Sequence, residues 1–77
     1  MDNKTFVLNL WRHDHTHDVF DVLNDREKQI MTMRFGLEGK PPESLAAIAS
    51  KFRVTRERIR QITERALVKL REKAEIK

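Results

Sequence analysis

The chain has 77 residues, of which 39% are hydrophobic and 36% charged, and carries a net charge of +4. That length suits one small domain with a modest core. The absence of cysteine excludes a disulfide framework and thiolate metal sites and points to a reducing compartment. No apolar run approaches the roughly 20 residues of a membrane span, and the N-terminus lacks the layout of a secretory signal. These features describe a soluble, intracellular domain.

Residues 1–15 read as a leader. Its "TFVLNLW" stretch is the most apolar in the chain but is far too short for an anchor. Next, "HDHTH" alternates His13, His15 and His17 beside Asp14 and Asp18. On a strand the three imidazoles would share one face, as a metal site needs. On a helix they would scatter, and the residues that follow read as helix. A flexible, solvated leader with no metal site is therefore expected.

From residue 16 onward the pattern is helical. In "THDVFDVLN", Val19, Phe20, Val22 and Leu23 form a short apolar face behind a Thr16 cap. Asn24 and Glu27 in "NDRE" have the spacing of a capping box and open a second helix. Ile30, Met31, Met33 and Phe35 give that helix its bulk, and Gly36 followed by Leu37 closes it. Gly39, Pro41 and Pro42 make "LEGKPPE" a connector through which no helix runs.

Ser44 caps the next helix, in which Leu45, Ile48, Ala49 and Phe52 recur at i, i+3, i+4 and i+7. Thr55 caps another helix only three residues past Phe52. Two helices joined this tightly, with small Ala49 where they approach, are laid out as a helix-turn-helix. The fold expected is all-α, a bundle of four to five short helices over residues 16–73, with 74–77 as a tail.

Charge separates the two ends of the chain. Residues 1–50 hold six basic and eight acidic side chains, whereas residues 51–77 hold ten and four. A basic C-terminal third suits a polyanion or an acidic protein surface. Within "VTRERIRQITERALVKL" there are four arginines and one lysine. At about 100° per residue, Ile62, Ala66 and Leu70 fall within about 60° of Ile59 on a buried stripe. Glu57, Gln61 and Glu64 fall on the opposite side. Arg60 and Arg65 flank that line, Arg58 lies at its far edge, and Arg56 splays from the first turn.

This chemistry suits duplex DNA. Arginine reads guanine edges, glutamate accepts from the cytosine amino group, and glutamine pairs with base edges, while other arginines neutralise phosphates. A helix enters the major groove with its N-terminal residues nearest the bases. Alternatively, Glu57 favours the positive helix N-terminus and pairs locally with arginine.

"THDVFDVLNDREKQIMTMRFGLEG", "SLAAIASKF" and "VTRERIRQI" resemble region 4 of primary bacterial sigma factors, without an obvious gap over about residues 16–71. The resemblance implies a compact helical domain that recognises the −35 promoter element and docks on the flap of the RNA polymerase β subunit. It implies base contacts from Arg56, Glu57 and Gln61, and backbone or groove contacts from Arg58, Arg60 and Arg65. Arg26 and Arg34 match phosphate-supporting positions, and Ser44 and Leu45 offer a hydroxyl and helix N-terminal amides. Ser44 stands where the family commonly has threonine. Val19, Val22, Leu23 and Ile30 would line a groove for the β flap or an anti-sigma factor. Such a protein works in the bacterial cytoplasm, at the nucleoid.

The resemblance stops at both ends, "MDNKTFVLNLWRHDH" and "REKAEIK". An excised domain behind a foreign leader and a stand-alone protein both fit, and the latter could not open a promoter by itself. No nucleophile–base pair, glycine-rich phosphate loop or paired catalytic carboxylates stand out, so neither an enzyme nor a cofactor is expected. Two other classes remain open. One is a stand-alone helix-turn-helix regulator, such as response-regulator output domains, which share the "L-x-x-R-E" opening but usually lack "RERIRQI". The other is a sigma-like protein-interaction domain.

Overall fold

A computed structural model describes residues 2–13 and 19–75. Among them are four α-helices, α1 (Asn3–His13), α2 (Asp25–Phe35), α3 (Leu45–Phe52) and α4 (Arg56–Glu75), with a 3-10 helix at Phe20–Val22 and no strand. This is the all-α class that the periodicities predict. Each boundary has a chemical cause.

Asn24 and Glu27 form the expected capping box. The Asn24 side chain accepts from the Glu27 N–H at 2.8 Å, and the Glu27 carboxylate accepts from the Asn24 N–H at 3.0 Å. Gly36 ends α2 in the left-handed region, with φ 68°. Its own N–H and that of Leu37 both reach the Thr32 carbonyl, and Leu37 is buried. The connector is then tied back onto α2. The Glu43 N–H donates to the Met33 carbonyl at 2.8 Å, and Arg34 Nη1 donates to the Glu43 carbonyl at 3.2 Å.

Ser44 caps α3 by accepting from the Ala47 N–H at 3.1 Å, and Thr55 caps α4 by accepting from the Arg58 N–H at 3.0 Å. Arg53 makes the turn between them in the left-handed region, with φ 57°, a conformation that glycine usually supplies. The Val54 N–H returns to the Ala49 carbonyl at 3.1 Å, which holds the bend shut. Arg53 to Thr55 is thus the whole turn of the helix-turn-helix.

Two apolar clusters fill the interior. Ile30, Ile48, Ala49, Ile59 and Ile62 pack where α2, α3 and the first half of α4 meet. Phe20, Leu23, Met31, Leu37, Leu67 and Leu70 lie in the second cluster, on the other half of α4. At 20 residues α4 is about 30 Å long, and it serves both. Glu27 is buried at 7% exposure, and Lys69 Nζ reaches both of its oxygens, at 2.9 and 3.0 Å. Thr63, also buried, donates to the Ile59 carbonyl at 2.9 Å. Among the described residues, no buried side-chain nitrogen or oxygen lacks a partner.

The leader differs from expectation. Residues 3–13 form a helix rather than a flexible segment, and Val7 is fully buried in the second cluster. Asp2 starts it: its carboxylate accepts from the Thr5 N–H at 2.7 Å and its carbonyl accepts from the Phe6 N–H at 3.0 Å. Arg12 falls in the last turn, where a cation suits the helix dipole. The Thr16 cap and all of "HDHTH" except His13 lie outside the described residues.

Two predictions follow from these anchors. A Cβ at Gly36 would sit 2.7 Å from the Lys40 carbonyl oxygen and 2.9 Å from Pro42 Cδ, in a left-handed backbone. Gly36→Ala is expected to destabilise the domain by about 2 kcal/mol, read from urea unfolding midpoints at an unchanged slope. For Glu27, burial pushes the carboxyl pKa up, but the Asn24 N–H and the Lys69 ammonium outweigh it and hold the group below its ordinary 4.5. A depressed folded-state pKa stabilises the fold above the unfolded value, and that stabilisation is lost as pH falls through the folded one. Denaturation series on either side of pH 4.5 should therefore show a shallower acid loss in Glu27→Gln than in the unsubstituted protein.

Candidate nucleic-acid interface

The first turns of α4 expose Arg56, Glu57, Arg58, Arg60, Gln61, Glu64 and Arg65, while Ile59, Ile62 and Ala66 are buried beneath them. The helical spacing thus puts every polar side chain of that segment except Thr63 on the wet side. Thr55 takes up one of the orphan N–H groups at the helix start. The remaining positive end of the helix favours an anion.

The exposed line is internally organised. Arg60 forks between Glu57, three residues before it, and Glu64, four residues after it. One of its bonds to Glu57, from Nε to Oε1, measures 2.8 Å. Hydrogen bonding from Arg60 outweighs the partial desolvation of Glu57 and holds its carboxyl below the ordinary range, with Gln61 adding a weaker bond. Glu57 first, and Glu64 after it, push the Arg60 guanidinium further up. Glu57 is therefore ionised and held in place, as an acceptor must be. Arg60, expected to contact the DNA backbone or groove, here pairs with two carboxylates, and the local pairing weighed as an alternative for Glu57 is present.

The uncompensated positive charge sits to one side. Arg58 and Arg65 on α4 line a groove together with Arg26 from the first turn of α2, and with Asn24, Glu27 and Lys69. The Arg26 guanidinium lies 5.7 Å from the centroid of the Phe52 ring, a cation–π contact that ties it to α3. Residue 26 is far from 58 and 65 in the chain, and the packing of α2 on α4 brings it beside them. Lys69 was not among the candidates; its signal is the i+4 step from Arg65 on the same helical face.

Arg34 and Ser44 line a separate open cavity, with Lys4, Phe35, Pro42 and Glu43 around them. Arg34 is half-buried and bonded to the Glu43 carbonyl, so part of its donor fork supports the connector. The Ser44 oxygen caps α3, and its hydroxyl proton is still available to an anion. Leu45 is half-buried against the helix-turn-helix core. At the cavity wall, Glu43 pairs with Lys51 at 2.6 Å.

The four residues assigned to a partner groove do not form an open groove. Leu23 is 4% exposed and Ile30 fully buried, each in a different apolar cluster. Their side chains are needed inside, since α4 packs on one and α3 on the other. Val22 is 36% exposed, and Val19 is half-buried at the edge of the second cluster. Among the described residues, no group of three or more His, Asp or Glu is placed to hold a metal ion. None of the described helices is long and apolar enough to cross a membrane.

The model of the family described as Sigma-70, region 4 matches residues 19–72. Over 54 residues the chain is 48% identical to RNA polymerase sigma factor SigA of Lactococcus lactis subsp. cremoris, which covers 70% of this chain and 15% of that protein. SigA of Lactococcus lactis subsp. lactis (strain IL1403) matches at the same identity over 54 residues, 14% of its own length. The chain thus spans only a small part of the curated relatives it matches. No solved structure matches it. The matched segment takes in the capped α2, the helix-turn-helix and the arginine-rich face of α4 together, and the protein belongs to the sigma-70 region 4 family.

Proposed function

We propose that this chain binds the −35 promoter element as the region 4 module of a bacterial RNA polymerase sigma factor. The observation that carries this reading is the N-terminal face of α4. Arg56, Glu57 and Gln61 stand exposed there beside a groove lined by Arg26, Arg58 and Arg65. Base-edge chemistry on a helix N-terminus, bordered by guanidinium groups for phosphates, is what major-groove reading requires. Glu57, held ionised by Arg60, accepts from a cytosine amino group, while Arg56 and Gln61 donate to neighbouring base edges. Arg34, Ser44 and the N-terminal amides of α3 from Leu45 onward take a flanking phosphate. The module works in the bacterial cytoplasm at the nucleoid, and no catalytic step or cofactor is assigned to it.

The polymerase partner is the flap of the β subunit, which meets the face of the 3-10 helix that bears Val19 and Val22. An anti-sigma factor competing for that face is part of the same reading. One small module neutralises few phosphates, so tethering to polymerase supplies the effective concentration that DNA contacts alone do not.

Competition binding between a −35 duplex and a scrambled one tests the reading face. Arg56→Ala, Glu57→Ala and Gln61→Ala should each lose about 1–3 kcal/mol of discrimination. Unchanged preference in all three variants would move the reading surface elsewhere.

Salt titration separates the arginines. Arg58→Ala and Arg65→Ala should weaken specific and scrambled duplexes alike, each making the plot of log affinity against log salt shallower by about one unit. Arg60→Ala should instead lower discrimination at a nearly constant slope, because its guanidinium serves Glu57 and Glu64 rather than a phosphate. A slope change in Arg60→Ala equal to that of Arg58→Ala would return Arg60 to the backbone contacts.

A further inference from the structure

Helix α1 lies before the segment shared with the family, which begins at residue 19, yet it supplies part of the core. Val7 is fully buried against the cluster that includes Leu23, Met31, Leu67 and Leu70, and Trp11 packs at its edge. Two aromatic contacts pin the helix at its ends. The Arg71 guanidinium of α4 lies 4.2 Å from the Phe6 ring centroid, and its Nη2 donates to Asn3 Oδ1 at 2.9 Å. Toward the other end, Trp11 meets Phe20 edge-on, with centroids 5.3 Å apart.

That seat has the chemistry of a helix-binding groove. The helix in it presents Val7, Leu10 and Trp11 at i, i+3 and i+4, while Lys4, Thr5 and Arg12 stay exposed. Helix-in-groove recognition uses this anchor spacing. An 11-residue helix is marginal in water on its own, since isolated helices shorter than about 12–15 residues rarely persist. Its helicity therefore depends on the seat, and leaving the seat means unfolding. The 3-10 helix, which forms one side of the seat through Phe20, also carries the exposed Val22.

We propose that the apolar face formed by the 3-10 helix, α2 and the second half of α4 is a seat for one amphipathic helix, which α1 fills in cis. An apolar helix of the polymerase β flap docks there by displacing α1. This rests on the flap reading given above and adds a regulatory element to it, since α1 holds the module closed until polymerase is near. The apparent affinity for the flap helix is then reduced by the fraction of molecules in which the seat is open.

Trp11 is the single tryptophan of the chain, so its emission reports on the seat. A synthetic β flap-tip helix is titrated into the full chain and into Val7→Asp and Phe6→Ala, both of which weaken α1 without altering the seat. Saturating peptide should red-shift the emission of the unsubstituted protein. Val7→Asp should bind the peptide about tenfold tighter, and Phe6→Ala should lie in between. If Val7→Asp has lost its helical circular dichroism, Phe6→Ala alone decides the comparison. Peptide binding with unmoved emission and equal affinities would overturn the displacement. Should no protein bind the peptide, the flap reading fails, and amide exchange of the free chain decides the fate of the cap. Exchange of α1 through an opening separate from that of α4 supports a detachable helix, and exchange only by global unfolding refutes it.

Discussion

Ile59, Ile62, Ala66 and Leu70 run as one stripe down α4, and burial of that stripe sets the position of everything else. Its upper part closes the cluster shared with α3, which fixes how far the first turns of α4 stand out from the body. Its lower part closes the cluster over α2 and the 3-10 helix. Because the stripe is continuous, the rotation of α4 about its own axis is set twice. Glu57, Gln61 and Glu64 point outward because turning them inward would expose two clusters at once. A helix anchored this way has little freedom to roll, and the base discrimination proposed for it would depend on that restraint.

Electrostatics on the outer face obey a second restraint. A carboxylate among phosphates is repelled unless something nearby holds a positive charge. Arg60 answers this locally, forking between Glu57 and Glu64 while Arg58 and Arg65 remain on the side of the basic groove. The trio of Glu57, Arg60 and Glu64 carries one net negative charge, so under the proposed function attraction to DNA would come from the neighbouring arginines. The proposed reading thus divides labour between orienting an acceptor and holding the backbone. Exposed ion pairs contribute little to stability, and the fork's importance lies in orientation.

Much of this was legible in the sequence because it is local. The Asn24–Glu27 box, the Gly36 stop, the Ser44 and Thr55 caps and the α4 stripe all depend on spacings of a few residues, and each is present. The Arg60 fork is also local, yet a basic residue beside a reading line is easily assigned to phosphate when its i−3 and i+4 carboxylates are counted as readers. What depends on tertiary packing was not legible. Lys69 meets Glu27 across 42 residues, and Arg26 joins Arg58 and Arg65 only once α2 lies on α4. Leu23 and Ile30 have the composition of a groove but lie in the core, because apolar residues on a short helix do not declare which neighbour covers them. The α1 segment was not legible for a related reason: the cluster that buries Val7 is contributed by residues distant in the chain, from Phe20 to Leu70.

The partition of the interior into two clusters has a mechanical consequence. Val7 belongs to the lower cluster, and no α1 residue belongs to the upper one or packs against it. Loss of α1 would uncover Leu23, Leu67 and Leu70 while leaving the contacts of Ile48, Ala49, Ile59 and Ile62 in place. From Ile59 to Leu70 the rise along α4 is about 16 Å, which sets the lower cluster apart from the helix start that carries Glu57 and Gln61. The proposed exchange of the helix in the lower seat therefore need not loosen the start of α4. Under the proposed displacement, the long α4 would let a partner alter the lower face while the orientation of Glu57 and Gln61 stays fixed by the upper cluster.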